Sequence, residues 1–418
     1  MIVLSKSDSI NNFRAFIWHS AFLALARNFM DMDTIIPSML IKAGGSSIHL
    51  GLLTAIMLGG SSLFQIFFAS YLSNKSTKRK YLLTGINLRI TALFLMAALF
   101  VLSAYLDGWM IILLIFLFIS MFSFSGSFAN VSYVDILGKA VHESKRKKFF
   151  SLRQVIESIL LFGSALLVRY LVDYYEYPVN YSILFFAAAF LLLTASLGFW
   201  NIREPESPNI TKHNFLEFFS RIPVEIRQNT NLKYYLILIN TLGLGLSILP
   251  FFILLAKDNF GLTFHSIGNF LFFRTIGILV AGLFLYRYSR KFLYRDVLKF
   301  IIILAALLPL MSLIMVQFPG FYTYIFILSG IFFSLYKIIL NGVLLEISTN
   351  ENRATYTGIS GAGNIITTIF PVFAGFFISF LGYEIVFVFI SLIIFTGYYS
   401  VLKMRCPPER LAKVKKGE

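Results

Sequence analysis

Long apolar runs separated by short polar breaks make up almost the whole chain. Each run is roughly 20 residues long, which is the length that a helix needs to cross a bilayer. The runs lack the alternation of apolar and polar positions that is typical of barrel strands. The pattern predicts an all-α polytopic membrane protein with twelve transmembrane helices. The predicted spans are 13–41, 47–73, 81–105, 108–135, 149–172, 179–200, 233–256, 264–286, 293–317, 321–346, 354–381 and 383–404.

The composition excludes a soluble protein. Of the 418 residues, 58% are hydrophobic and 13% are charged, against averages of about 45–50% and about 25% in soluble domains. The single cysteine, Cys406, excludes intrachain disulfides and a cysteine metal cage. The sequence contains no nucleotide-binding loop, metal-ligand cluster or hydrolytic triad, so we expect no enzymatic activity, no cofactor and no metal.

The distribution of positive charge predicts the orientation. The formal net charge is +16, and 29 of the 36 lysines and arginines fall on the side of the predicted spans that holds the N-terminus. Only 3 fall on the opposite side. Because lysine and arginine accumulate in cytoplasmic loops, both termini are predicted to be cytoplasmic in a multi-pass protein of the cytoplasmic (inner) membrane. The charge therefore does not indicate a nucleic acid partner.

The chain is predicted to consist of two related halves. Basic hairpins occur at 75–80 and 287–291, and Asp135 and Glu346 end corresponding spans 211 residues apart. The predicted parts are an N-terminal six-helix half (1–200), a cytoplasmic linker (201–232), a C-terminal six-helix half (233–404) and a basic cytoplasmic tail (405–418). Repeats of this kind place a substrate site between the halves near the middle of the membrane.

The two hairpins carry a resemblance to a known family. The signature between spans 2 and 3 of the major facilitator superfamily reads Gly-x-x-x-Asp-Arg-x-Gly-Arg-Arg. Together with the twelve predicted spans and the repeat, the hairpins make the chain resemble a bacterial transporter of this superfamily over nearly its whole length. The signature places are taken by Ser70, Asn74, Lys75, Thr77, Lys78 and Arg79, and in the second copy by Gly282, Tyr286, Arg287, Arg290 and Lys291.

The resemblance implies alternating access, in which two halves rock around a central cavity. In that family the hairpin aspartate latches the cytoplasmic side, and here Asn74 can accept hydrogen bonds but supplies no charge. A hypothesis follows in which Asp135 pairs with Lys75 or Lys78. In the second half, Glu346 would pair with Arg287, and Arg353 would belong to the same latch. The alternative is that these cations only orient the protein in the membrane.

Charged residues inside the first and fifth predicted spans are candidates for substrate binding or coupling. A charge in the bilayer costs about 2.5–3.5 kcal/mol on insertion scales, so it usually faces protein or water. Arg27 and Asp31 are four residues apart, so within one helix they share a face and can pair. Glu157 follows Arg153 by four residues and is a candidate proton-coupling carboxylate. Both pairs can equally be structural.

Four further candidates lie in the second half. Arg274 in the eighth span has no acid nearby in sequence, so it must find a distant carboxylate, a carbonyl or an anionic substrate. Lys337 and Asn341 share a face of the tenth span, although Lys337 can also reach the cytoplasmic surface. Asn240 in the seventh span either lines the cavity or joins helices. In the first half, Arg89 is interpreted as structural.

These features predict a secondary active transporter of a small molecule, acting as a monomer and coupled to a proton or another cation. Cations outnumber acids inside the spans, which favours a substrate with an anionic group because a buried cation requires an anion. Two alternatives stay open. One is an exporter of amphipathic, drug-like compounds, and the other is a non-transporting sensor or partner subunit built on a transporter fold.

Overall fold

The computed structural model describes residues 6–73, 75–140, 143–206, 215–262, 264–288, 292–348, 356, 359–361 and 363–404. The regular structure of those residues is entirely helical, which confirms the predicted all-α class. The helices are α1 (Lys6–Phe29), α2 (Ile35–Lys42), α3 (Ser47–Ser73), α4 (Arg79–Leu102), α5 (Gly108–Ala140), α6 (Glu143–Tyr174), α7 (Val179–Trp200), α8 (Phe215–Gln228), α9 (Thr230–Phe260), α10 (Phe264–Tyr288), α11 (Tyr294–Met315), α12 (Pro319–Tyr322), α13 (Ile325–Ile347) and α14 (Ile365–Lys403).

Many of these helices are long and apolar enough to cross a membrane. Among the described residues nine stretches meet both criteria, and Ser47–Gly60 is a shorter apolar helix. The protein is therefore a multi-pass membrane protein, while the count of twelve spans stays a prediction. The last two predicted spans lie in one helical stretch, Ile359–Lys403, which breaks at Gly382. Gly382 has φ 79°, a left-handed conformation that glycine adopts without strain.

The first predicted span, 13–41, is not one helix. Helix α1 ends at Phe29 and α2 begins at Ile35. Between them Asp31 Oδ1 accepts a hydrogen bond from the hydroxyl of Thr34 at 2.9 Å and one from the backbone N–H of Asp33 at 3.1 Å. An aspartate side chain that binds its own downstream backbone competes with helical hydrogen bonding, and this ends α1.

The chain divides into two compact units, which we call unit 1 and unit 2. Unit 1 comprises Met1–Gly45 and Ile56–Phe215, and unit 2 comprises Ser46–Ala55 and Leu216–Glu418. In unit 1, α4 packs against α5 and α7, and α1 packs against α6 and α7. In unit 2, α11 packs against α13 and α14, and α9 packs against α14. In each unit, one helix therefore packs against two others, and the first long helix packs against the last helical segments of that unit.

Glycines allow two helix pairs of unit 2 to touch through their backbones. A Cβ atom at Gly277 of α10 would overlap the carbonyl group of Ile327 in α13, and one at Gly330 of α13 would overlap the carbonyl of Arg274 in α10. In the same way, Gly375 of α14 meets the backbone at the start of α3. Small residues permit such close approach, and packing of this kind holds membrane helices together.

Candidate functional site

Side chains from three helices of unit 1 form a charged cluster around Glu157. Arg153 and Glu157 lie one turn apart on α6, and the Nε of Arg153 donates to Glu157 Oε1 at 2.6 Å. The Nη1 of Arg153 also donates to the hydroxyl of Tyr133 on α5 at 3.2 Å. From α1, Arg27 Nη1 lies 3.7 Å from Glu157 Oε2. We call Arg27, Tyr133, Arg153 and Glu157 the Glu157 cluster.

Exposure differs sharply between the members of this cluster. The side chain of Arg27 is 35% exposed, whereas that of Glu157 is 12% exposed. The carboxylate is therefore enclosed, with one oxygen facing each arginine, and Arg27 is the more exposed of the two arginines. Beside it, Asn28 donates to the carbonyl of Leu161 at 2.7 Å and to Ser164 at 2.9 Å. These bonds fix α1 against α6 at the level of the cluster.

The predicted geometry for Arg27 and Asp31 is wrong. The sequence prediction placed both on one helical face, but α1 ends at Phe29 and Asp31 lies in the turn that follows. Asp31 binds the backbone of that turn, as described above, and Arg27 contacts Glu157 of α6. A role of Asp31 in coupling stays a prediction.

A third arginine lies close to the cluster. Arg89 of α4 stacks on the ring of Phe122 of α5, with the guanidinium carbon 4.2 Å from the ring centroid. It packs over Gly126, where an added Cβ would lie 3.3 Å from the Arg89 Nε. Among the described residues that buried Nε has no hydrogen-bond partner. Arg89 is near enough to Arg27 for their charges to repel each other.

In unit 2, Arg274 lies on α10, and Lys337 and Asn341 lie on α13. Arg274 is 3% exposed on α10, and its guanidinium carbon lies 4.6 Å from the ring centroid of Phe333 on α13. Lys337 is exposed on α13. Asn341 follows one turn later on the same helix, and its side chain is outside the described part of the structure. Their roles in binding or coupling stay predictions.

Asn240 of α9 binds the backbone just before and within the first turn of α14, where the helical conformation is interrupted at Asn364. Its Nδ2 donates to the carbonyl of Gly363 at 2.7 Å, and its Oδ1 accepts from the N–H of Ile366 at 3.0 Å. Asn364, between those two residues, has the non-helical angles φ −85° and ψ 42°. The side chain of Asn240 thus binds backbone groups that a continuous helix would pair internally. This geometry favours the helix-joining interpretation of Asn240.

The four cations of the first hairpin divide into two groups. Lys78 Nζ lies 2.8 Å from Asp135 Oδ1, the arrangement that the latch hypothesis requires, and Lys139 contacts the other oxygen of Asp135. The Nε of Arg79 donates to the carbonyl of Phe199 at 3.2 Å. Lys75 and Lys80 instead lie over tyrosine rings.

The other predicted latch residues are less defined. Arg287 is exposed over the ring of Tyr288, and Glu346 is half-buried at the end of α13. Asn74 and Arg353 lie outside the described residues. The pairing of Glu346 with Arg287 and the latch function as a whole stay predictions.

Comparisons with known proteins match both halves of the chain to transporter profiles. A profile of the Major Facilitator Superfamily matches residues 235–418, and a profile described as sugar (and other) transporter matches residues 8–208. A bacterial homolog of the human lysosomal transporter Spinster, solved in an inward-facing and unoccupied conformation, has a similar fold. The two structures match with a TM-score of 0.65 at 11% sequence identity. The match covers 97% of this chain and 100% of the homolog. The two profile matches together span both halves of the chain and support a transporter of the major facilitator superfamily.

Other solved structures with this fold are equally distant in sequence. The nucleoside transporter NupG, solved as a mutant, matches with a TM-score of 0.63 at 13% identity over 94% of this chain and 99% of its own. A POT family transporter in complex with 5-aminolevulinic acid matches with a TM-score of 0.65 at 10% identity over 93% and 95%. Comparison with curated proteins finds no match. Identities this low establish the fold and leave the subfamily open.

One acidic residue that binds the first hairpin was not among the residues predicted from the sequence. Glu204, which follows α7, accepts hydrogen bonds from the backbone N–H of Lys78 at 2.8 Å and of Arg79 at 2.7 Å. Lys139 Nζ lies 3.5 Å from the same carboxylate. Glu204 therefore satisfies the free N–H groups that begin α4, a position where negative charge is stabilising.

Glu204→Gln is expected to destabilise the protein by about 1–3 kcal/mol, because an amide supplies only one acceptor and no charge to these buried donors. The thermal unfolding midpoint of the purified protein in detergent measures this effect. Glu206→Gln is the matched control, since Glu206 lies two residues further on and is exposed. Equal midpoints for the two variants would contradict the capping role.

Proposed function

We propose that this protein is a secondary active transporter for a small molecule that carries an anionic group. It would move the substrate across the cytoplasmic membrane by alternating access, with both termini in the cytoplasm, as a monomer. The supporting observation is an excess of positive charge in unit 1. Arg27 and Arg153 both contact the single carboxylate of the Glu157 cluster, and a third arginine, Arg89, lies close to Arg27.

An excess of partly buried cations favours an anionic ligand on physical grounds. A charge that leaves water must be paired or it costs several kcal/mol, and one carboxylate cannot neutralise three guanidinium groups. Arginine is also the side chain best suited to a carboxylate or phosphate, since its planar fork donates two parallel hydrogen bonds. A substrate anion beside Arg27 would supply the missing negative charge.

The same cluster suggests how a proton would couple to transport. Glu157 contacts Arg27 and Arg153, and Arg153 also donates to the hydroxyl of Tyr133. Protonation of Glu157 would remove the negative charge that holds Arg27, and a substrate anion would then take its place on the guanidinium. The proton and the substrate anion would thereby bind in the same transport cycle. Rocking of the two units and the Lys78–Asp135 latch would complete alternating access.

Thermal unfolding with a ligand library tests the proposal. A ligand that binds only the folded protein stabilises it by about 2.7 kcal/mol at a hundredfold excess over its Kd. The library should contain carboxylates, phosphates, sugars, nucleosides and amphipathic cations, each at two pH values. We expect stabilisation by an anionic compound, its loss in Arg27→Gln and its retention in Arg169→Gln.

The control variant matches the test variant closely. Arg169 is also an arginine of unit 1, and it contacts Asp173 at the far end of α6, with Nε 4.0 Å from Oδ2. Stabilisation by a sugar or a cation that is unchanged in Arg27→Gln would contradict the proposed substrate class. Such a result would favour a substrate without an anionic group, as in the exporter alternative.

A further inference from the structure

We infer that the first basic hairpin of unit 1 carries a binding site for an anionic phospholipid. The site consists of Tyr71 in the last turn of α3 and Lys75 just after that helix, together with Lys80 and Tyr81 at the start of α4. Lys75 Nζ lies 5.0 Å from the ring centroid of Tyr71, and Lys80 Nζ lies 5.0 Å from that of Tyr81. The two rings meet edge to face with centroids 5.9 Å apart. We call these four residues the Lys–Tyr patch.

The patch uses the two hairpin cations that contact tyrosine rings, Lys75 and Lys80, rather than the two that bind oxygen atoms of the protein. Lys78 and Arg79 turn inward, the first to Asp135 and the second to the carbonyl of Phe199. No carboxylate of the described residues lies within ion-pair distance of Lys75 or Lys80. A cation held against the face of an aromatic ring stays available for an anion on its open side.

The surroundings of the patch match a lipid better than a soluble anion. Tyr71 is 51% exposed, and Phe67, one turn earlier on the same face of α3, is 56% exposed. Apolar surface thus continues from the two ammonium groups toward the middle of the predicted span, as an acyl chain requires. Behind the patch, Tyr81 packs on Phe128 of α5 at 6.0 Å, which fixes its ring.

The location supports the same occupant. The hairpin lies on the side that the charge asymmetry predicts to be cytoplasmic, where anionic headgroups give the membrane a negative surface potential. Tyrosines are favoured at the membrane–water boundary because the ring is apolar and the hydroxyl is polar. The Lys–Tyr patch combines both features and therefore fits a phospholipid whose phosphate meets Lys75 and Lys80.

Native mass spectrometry of the full-length protein in detergent tests this site. Dioleoylphosphatidylglycerol is titrated against dioleoylphosphatidylcholine, and bound lipid is counted. We expect preferential retention of the glycerol lipid and a loss of about tenfold or more in its apparent affinity in the double variant Lys75→Gln/Lys80→Gln. Tyr71→Leu should weaken binding about threefold, since the ring no longer positions Lys75.

The double variant Arg14→Gln/Lys233→Gln removes the same charge from exposed cations on the same predicted side. We expect it to bind the lipid like the unchanged protein. An equal loss in this control, or no loss in Lys75→Gln/Lys80→Gln, would overturn the site. Inorganic phosphate is the third arm, and we expect it not to compete. Competition at matched concentration would mean that the patch takes a free phosphate and would overturn the lipid assignment.

Discussion

Glu157→Gln is expected to abolish substrate accumulation while the protein stays folded. The substitution keeps the shape of the side chain and removes the charge that lies between Arg27 and Arg153. Without that charge, the exchange between proton and substrate anion on Arg27 cannot occur. We expect concentrative transport to fall about tenfold or more, a loss that corresponds to about 1.4 kcal/mol or more. Uptake of the identified substrate into proteoliposomes under a proton gradient measures this.

The stability of Glu157→Gln should change less than its transport. Breaking a fully buried ion pair costs about 3–5 kcal/mol. Here the side chain of Arg27 is 35% exposed, so its charge is only partly buried after the partner is lost and the cost is smaller. A modest fall in the thermal midpoint together with abolished accumulation would separate a coupling role from a purely structural one.

Asp173→Asn provides the matched control for Glu157→Gln. Asp173 lies on the same helix, α6, and also contacts an arginine four residues before it. Its removal should leave accumulation within about twofold of the unchanged protein, since exposed pairs at this spacing contribute only about 0.3–0.5 kcal/mol. Equal loss of transport in both variants, or full transport in Glu157→Gln, would contradict the coupling role of Glu157.

Features that depend on neighbours in sequence were accessible without the structure. The apolar runs predict helices because a helix satisfies its own backbone in lipid. The contact between Arg153 and Glu157 follows from their spacing on one helix. The break after α1 was missed, although an aspartate closely followed by a threonine is a turn signal. The break was missed because apolar residues continue on both sides of this turn.

Features that join distant segments could not be predicted from spacing. The contact between Arg27 and Glu157 bridges 130 positions, and many pairings of charges satisfy the same sequence. One feature of the sequence was consistent with the capping role of Glu204. Helix α4 begins at Arg79, and the residue at its capping position, Lys78, is a poor N-cap. A helix without its own cap requires an acceptor from elsewhere, but the sequence does not say which acid supplies it.

Gly277→Ala is expected to have the largest effect on stability. A Cβ at this position overlaps the carbonyl of Ile327, which belongs to the backbone of α13 and cannot move away as a side chain would. Overpacking typically costs about 1–3 kcal/mol, and a clash with backbone lies at or beyond the upper end of that range. Size-exclusion profiles and the thermal midpoint in detergent should show loss of the folded protein.

Gly282→Ala, five residues later on the same helix, separates this clash from the effect of alanine itself. No atom lies within 4 Å of a Cβ at Gly282. Alanine is favoured over glycine in a helix by about 0.8–1.0 kcal/mol, so this variant should be as stable as the unchanged protein or slightly more stable. Equal midpoints for the two variants would show that α10 and α13 do not meet at Gly277. Since Gly330 approaches the backbone of Arg274 at the same crossing, Gly330→Ala should reproduce the loss from the opposite helix.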